Sequence, residues 1–338
     1  MDYGGSISRT FTGALDSLAE HITNRNDRFV LLARRFHGAT VAQNLGYARP
    51  MLRAFDGEDD LKQQLGVLRP DIVHTHFARF DFAAVHGAPH SRVFWHAHSC
   101  RNSDSPYERL RAFARYRIIG SRVEAIVAVS ESIRKECIKF FAPPDRVRVI
   151  HNGIDTNHFR PPTLSERTAA RSKYGFACSD RIVLFFERVP SKGGATLRKA
   201  LDLLPGVRLL VVGGTAEDRD RFKGLPEVIS LARVEDPRAL YWAADVLAFP
   251  SVREGFGLVV AEALACGLPI AASNIPVLRE VCADVASVAY FTAGDPQGLA
   301  ASITTGLAQT ADVTGRQRAV SQFSLQDWTK RILQLYEN

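Results

Sequence analysis

Short apolar runs alternate with segments of helical periodicity along this 338-residue chain, and that alternation restricts the fold more than any other feature. In the front half the runs fall near Phe29–Ala33, Asp71–His74, Val93–His96, Ala125–Val129 and Val147–Ile150. In the back half they fall near Ile182–Phe186, Val207–Val212, Val228–Leu231, Val246–Phe249, Ile270–Ser273 and Val288–Phe291. Strands of this length alternating with helices build parallel sheets with crossover helices. A Pro-rich join, Phe159-Arg160-Pro161-Pro162, separates the halves. The length suits two domains of about 150 residues. The expected fold class is therefore α/β, with two Rossmann-like doubly wound domains, 1–160 and 161–320. Their strand C-termini would line a shared cleft, where ligands bind in such sheets. The last segment, 321–338, carries Leu325, Trp328, Ile332 and Leu335 at the spacing of an amphipathic helix.

The stretch from Pro250 to Pro269 carries most of the chemistry. Val246–Phe249 reads as a buried strand, and Leu258, Ala261, Leu264 and Ala265 fall on one helical face. Glu254-Gly255-Phe256-Gly257 then forms the turn between them, where free backbone N–H groups and the positive helix end collect anions. Glycine lets backbone approach a ligand closely. Glu262 lies roughly 12 Å along the axis from Glu254 if the segment is helical throughout. A single ligand touching both carboxylates must be long, with hydroxyls at each end. Spacing alone fits equally a helix N-terminal charge followed by a solvated glutamate.

The whole string resembles the family 4 retaining glycosyltransferases, whose signature is P-S-x-x-E-G-F-G-x-x-x-x-E-A-x-A-x-G-x-P-V. This chain matches nearly every fixed place, with Ile270 for the last valine. The resemblance implies the two-domain GT-B fold, with the final helix crossing back onto the first domain. It implies that Glu254 contacts donor-sugar hydroxyls, that the Gly255, Phe256, Gly257 and Leu258 amides lie by sugar and phosphate, and that Glu262 holds the ribose. It places Arg233 and Val234 at the nucleobase and sets the Gly4-Gly5 pair in the family's G-G loop. His98 corresponds to a histidine near the reacting carbon. Enzymes of this family need no metal, and UDP- or GDP-sugar is the expected donor, bound as substrate with no cofactor.

A second cationic element follows the Ile182–Phe186 strand. Arg188 and Lys192 would present a guanidinium fork and an ammonium to a departing diphosphate. The family pattern here is G-R-x-x-x-x-K-G. Lys192-Gly193 matches its end, whereas Glu187 stands at the arginine place. Either the turn is one residue shorter and Arg188 serves, or a carboxylate replaces the cation. His74-Thr75-His76 and His96-Ala97-His98 each end a strand and set two imidazoles on one face. A metal site needs a third or fourth ligand, and only Asp71 and Asp81 are near in sequence, so the pairs read as core or rim histidines with no metal. Ala243-Ala244-Asp245-Val246 reads as structural, and Asn152-Gly153 as a turn at the domain junction.

The front half holds the basic excess, net +6 over 1–160 against +1 over 161–338. Part of it lies in a helix expected from Ser105 to Gly120, where Arg109, Arg111, Arg115 and Arg117 interleave with aromatics. That face is either solvated or a peripheral contact with anionic lipid or a lipid-linked acceptor. Nucleic-acid modules are absent, so no such partner is expected. No apolar run reaches the ~18–20 residues of a membrane span, and the first residues lack the apolar core of a leader. Five scattered cysteines without a C-x-x-C pair suit a reducing cytoplasm. A helix pattern opens directly after Gly4-Gly5, so a further strand of roughly 5–10 residues is expected upstream. The expected function is retaining transfer of a hexose from a nucleotide sugar to a glycan, lipid-linked or small-molecule acceptor in bacterial polysaccharide or glycoconjugate synthesis. A sugar-nucleotide epimerase of the same fold and a non-catalytic nucleotide-sugar-binding subunit are the alternatives.

Overall fold

A computed structural model describes residues 9–34, 45–76, 80–99, 106–187, 190–225, 227–232, 234, 236–309 and 313–338. The chain divides into two compact units, Met1–Gly153 with Leu325–Asn338, and Ile154–Ser324. Both are α/β with parallel strands, as the alternation of apolar runs requires.

In the first unit β1 (Leu31–Arg34) pairs with β2 (Leu52–Phe55), while β3 (Ile72–His76), β4 (Arg92–Ala97), β5 (Ala125–Ala128) and β6 (Val147–Val149) form a second sheet in that order. β2 has no counterpart among the apolar runs of the sequence. Only Phe55 of its four residues is buried, so it shows no apolar run. The Arg9–Asn24 helix buries Ala14, Leu15, Leu18 and Ala19. The Leu325–Glu337 helix belongs to this unit, its Trp328, Ile332 and Leu333 packing with Ala14, Leu18, Val127 and Ile150. Ser17 Oγ and Thr329 Oγ1 share a 3.0 Å hydrogen bond between the two helices.

The basic helix departs from expectation. It is α-helical over Pro106–Phe113, π-helical over Ala114–Ile119 and 3₁₀ over Gly120–Arg122. A π stretch carries more residues per turn than an α-helix and so rotates the residues after it about the axis. Arg115 points inward, ion-paired to the buried Asp81, with its guanidinium 5.3 Å over Trp95 and 5.0 Å over Tyr116. It therefore leaves the lipid-facing set, a correction that the sequence could not supply because Asp81 is 34 residues away. Arg117 is exposed, as are Tyr107, Leu110 and Phe113. Ser105 and the side chains of Arg109 and Arg111 lie outside the described residues.

The second unit carries one six-stranded sheet ordered β12-β11-β10-β7-β8-β9, all pairs parallel. Its strands are β7 (Arg181–Glu187), β8 (Val207–Gly213), β9 (Val228–Leu231), β10 (Val246–Phe249), β11 (Ile270–Ser273) and β12 (Val288–Phe291). The chain starts mid-sheet at β7, runs outward through β9, then returns to lay β10 on the other side of β7. The connections from β7 and β10 leave in opposite directions, and ligands bind beyond strand C-termini at such a switch point.

The opposite edge of the same two strands is clamped. Asp245, just before β10, accepts from Arg167 Nη2 at 2.6 Å, from Arg171 Nη2 at 2.7 and 2.8 Å, and from the Ile182 N–H at 2.8 Å. Arg171 is buried and also donates to the carbonyls of Ala177, Cys178 and Asp180. The structural role expected of Asp245 agrees with this placement.

Gly153 gives a direct test of the helix packing. A Cβ there would lie 2.6 Å from Trp328 Cβ and 3.2 Å from Leu325 Cα, whereas a Cβ on Gly66 meets nothing within 4 Å. Gly153→Ala should lower unfolding stability by about 1–3 kcal/mol. Gly66→Ala, inside the Glu58–Leu68 helix, should be neutral or stabilising by up to about 1 kcal/mol. Urea denaturation of both variants checks this, and equal midpoints would contradict the packing.

Candidate functional site

The loops that leave β7 and β10 are stitched together. The Val252 N–H donates to the Ser191 carbonyl at 3.0 Å. Gly193 has φ +81°, and a Cβ there would run into the Pro250 carbonyl oxygen. Only glycine satisfies both the left-handed backbone and that approach. Lys192 ends the Pro190–Lys192 3₁₀ turn and ion-pairs with Glu254 Oε1. Ser251 Oγ donates to the same oxygen at 2.7 Å, and the ammonium lies 5.2 Å from the Phe249 ring centroid. The two charged side chains are 19% and 10% exposed. A pair so far withdrawn from water interacts more strongly than a surface one, and each charge depends on the other for compensation.

The turn after Glu254 opens a helix. Gly257, φ +93°, occupies the N-cap of the Leu258–Ala265 helix with no capping side chain. The Leu258 and Val259 amides precede the first bonds of the helix, which Val260 and Ala261 make to the Gly257 carbonyl, and the helix dipole adds positive potential there. Phe256 is buried edge-on against Phe323 at 5.2 Å, which anchors the turn, while Gly255 and Leu258 are half-buried. Glu262 sits in the body of the helix and is buried. Its Oε2 accepts the Tyr241 hydroxyl at 2.5 Å. Burial, with the Glu262 charge second, pushes the Tyr241 phenol well above its ordinary range, so Tyr241 stays a hydroxyl donor.

Glu187 is the last residue of β7, and its carboxylate is fully buried. It pairs with Arg221 Nη1 at 2.7 Å, and Arg221 itself is 30% exposed. The space is kept by glycines from two other segments. A Cβ on Gly194 would overlap the Glu187 carboxylate and lie 2.6 Å from Arg221 Nη1. A Cβ on Gly214 would lie 3.0 Å from Glu187 Cγ. At the strand end, then, a carboxylate does stand, and a cation from 34 residues further on stands beside it. Sequence reasoning missed Arg221. The available signal was chemical: a glutamate closing a buried strand requires a cationic or hydrogen-bonding partner.

Val234 follows β9 and is half-buried. Gly4, Gly5, Arg188 and Arg233 lie outside the described residues. His98 belongs to the first unit, just past β4, where its Nε2 meets His76 Nδ1 at 3.0 Å. The two histidine pairs are not separate rim residues. β3 and β4 are neighbours with His76 opposite His96, so all four imidazoles form one stack. Burial pushes His74 and His98 down to about 3, keeping both neutral.

Asp236 lies between the β9 edge and the Arg238–Ala243 helix. Burial opposes its ionisation, but donors from the Arg238 guanidinium and backbone at 2.6–3.1 Å hold its carboxyl at about 2.

Comparison with known proteins supplies relatives for both units. The family model described as "Glycosyltransferase Family 4" matches residues 15–158, and that described as "Glycosyl transferases group 1" matches residues 180–309. The D-inositol 3-phosphate glycosyltransferase of Mycobacterium tuberculosis (strain ATCC 25618 / H37Rv) is 32% identical over 65% of this chain. The chain spans about half the length of that relative, 54%. Among solved structures, HepE of Anabaena in complex with UDP and glucose superposes with a TM-score of 0.83 at 19% identity, covering 100% of this chain and 98% of that one. Sucrose-phosphate synthase from Thermosynechococcus elongatus gives 0.73 at 22% identity, covering 83% and 76%. These neighbours share the GT-B fold with this chain.

Two outcomes follow from the electrostatics. Arg221→Met leaves the Glu187 carboxylate without its cation and should cost roughly 3 kcal/mol. Glu187→Gln added to it should restore part of that loss, giving a coupling above about 1 kcal/mol in a double-mutant cycle. Strict additivity would show that the pair does not act as one. Asp236 has a folded-state pKa below its unfolded value, so its stabilisation is complete above about pH 4 and is lost as pH falls toward 2. The stability gap between wild type and Asp236→Asn should shrink as pH falls below about 4. A gap that persists unchanged at pH 2 would contradict this.

Proposed function

We propose, for a chain that belongs to the family 4 glycosyltransferases, that it moves a hexose from a nucleoside diphosphate sugar to an acceptor hydroxyl with the anomeric configuration retained. The observation that carries this reading is the Lys192–Glu254 pair beside the glycine-capped helix end, all at the switch point of one parallel sheet.

Each group has a distinct task. A donor divides the pair: its sugar hydroxyls take the Glu254 carboxylate, and its diphosphate takes the Lys192 ammonium. The leaving diphosphate gains negative charge as the glycosidic bond breaks, so fixed cations and helix amides lower that barrier more than they stabilise the intact donor. Lys192 and Arg221 supply the cations, with Glu187 fixing where Arg221 sits. These charges serve in place of a divalent metal in the transfer step. Glu262 accepts the ribose hydroxyls, its carboxylate oriented by Tyr241. Glu254, held by Lys192 and Ser251, is an acceptor of hydrogen bonds and not a nucleophile. An acceptor hydroxyl that attacks on the face the diphosphate leaves from, passing its proton to a leaving phosphate oxygen, retains the configuration.

UDP-hexose is the proposed donor, supported by the UDP-glucose complex of HepE. The acceptor is a glycan, a lipid-linked saccharide or a small polyol, and the inositol 3-phosphate named for the mycobacterial relative falls in the last class. Among the described residues no helix is long and apolar enough to cross a membrane. We place the reaction in the cytoplasm, in polysaccharide or glycoconjugate synthesis. The exposed Tyr107, Leu110, Phe113 and Arg117 offer a peripheral contact to an anionic membrane face.

Release of nucleoside diphosphate from UDP-, GDP-, ADP- and dTDP-hexoses tests the reading. Turnover of one donor class is expected. Lys192→Ala and Glu254→Ala should lower it by roughly a hundredfold or more, while Lys223→Ala, 74% exposed in its side chain, should leave it unchanged. Full activity in the first two variants would overturn the assignment of the site.

A further inference from the structure

We propose that His74, His76 and His96 form a binding site for one divalent transition-metal ion of the zinc class within the first unit. His74 and His76 occupy alternate positions of β3 and so share a face. His96, on β4, stands opposite His76 in the parallel register. One ring nitrogen from each of the three lies within 4.8 Å of those of the other two. The rings of His74, His76 and His96 stack at centroid distances of 4.7–5.2 Å.

Tyr336, from the Leu325–Glu337 helix, bonds His74 Nδ1 through its hydroxyl at 2.6 Å. His74 Nε2 then meets His96 Nδ1 at 3.2 Å. Whichever way the protons run along this chain of bonds, it ends at His96 Nε2, which is buried and has no hydrogen-bond partner. A buried polar nitrogen left this way is costly. With Tyr336 accepting from His74 Nδ1–H, the His74 Nε2 lone pair lies 3.2 Å from His96 Nδ1, and the ion takes the place of the proton between those two nitrogens. Such an outer hydrogen bond is how ligating histidines are fixed in tautomer and orientation.

The donor set selects the ion. Three imidazoles with no carboxylate suit zinc, cobalt, nickel or copper and give nothing to magnesium or calcium, which need oxygen. Tetrahedral zinc at about 2.0–2.1 Å from nitrogen sets its ligand atoms about 3.4 Å apart. The His74–His96 separation already meets this, and the broad χ2 torsion of histidine allows the remaining contraction. His98, stacked 4.5 Å from His96, or a water completes the fourth position. The ion would tie β3 to β4 and, through Tyr336, to the C-terminal helix.

The test uses the full chain without an affinity tag, stripped with EDTA and dialysed. Cobalt(II) titration followed by absorption, and zinc titration followed by calorimetry, should both give one ion per chain. Cobalt should show the intense visible band of a four-coordinate site, and zinc should displace it. Zinc should raise the Tm and magnesium should not. His96→Gln and His74→Gln should each weaken zinc at least tenfold, whereas His90→Gln, at an exposed histidine, should bind as wild type. Absence of stoichiometric uptake by the folded wild-type chain overturns the proposal without reference to any variant. Uptake unchanged in His96→Gln overturns it equally.

Discussion

The ion pair between Lys192 and Glu254 joins the two loops that leave β7 and β10. Those strands are adjacent only because the chain begins its sheet in the middle and returns to the other side of its first strand. Most of the site's geometry derives from that return. The crossing connections open a gap, and Gly193 lets one loop press onto the Pro250 carbonyl of the other. The pair can then form across the gap. Gly257 starts the helix whose amides face the same region. Without the close approach at Gly193, the ammonium and the carboxylate would be two unrelated surface charges.

The two edges of the sheet divide the labour. At the N-terminal edge Asp245 accepts from two arginines and from the Ile182 amide of β7, which holds β7 beside β10. At the C-terminal edge the charges are paired in twos, Lys192 with Glu254 and Arg221 with Glu187, and one member of each pair is proposed to be handed to substrate. A clamp at one edge keeps the strands fixed while pairs at the other exchange partners. Loss of a clamp residue is therefore expected to act on stability, and loss of Lys192 on the proposed transfer.

The features legible in the sequence are those that local chemistry decides. The strand, turn and helix from Val246 to Ala265 can be read because an apolar run, a positive-φ glycine and an apolar helical face succeed each other directly. Features set by residues far apart are not legible. β2 shows a single buried side chain and takes its identity from pairing with β1. Arg115 is one of four similar cations in sequence, and only the fold brings Asp81 beneath it. Glu187 stands in sequence where a cation is expected, and the fold returns one from Arg221. The two histidine pairs, 22 residues apart, become a single stack only through the register of β3 on β4.

A crystal structure of the protein with a UDP-hexose tests the central claim most directly. The diphosphate is expected within hydrogen-bond distance of Lys192 Nζ and the Leu258 amide, sugar hydroxyls on the Glu254 carboxylate, and ribose on Glu262. A donor bound elsewhere, with Lys192 and Glu254 still paired to each other alone, would contradict it.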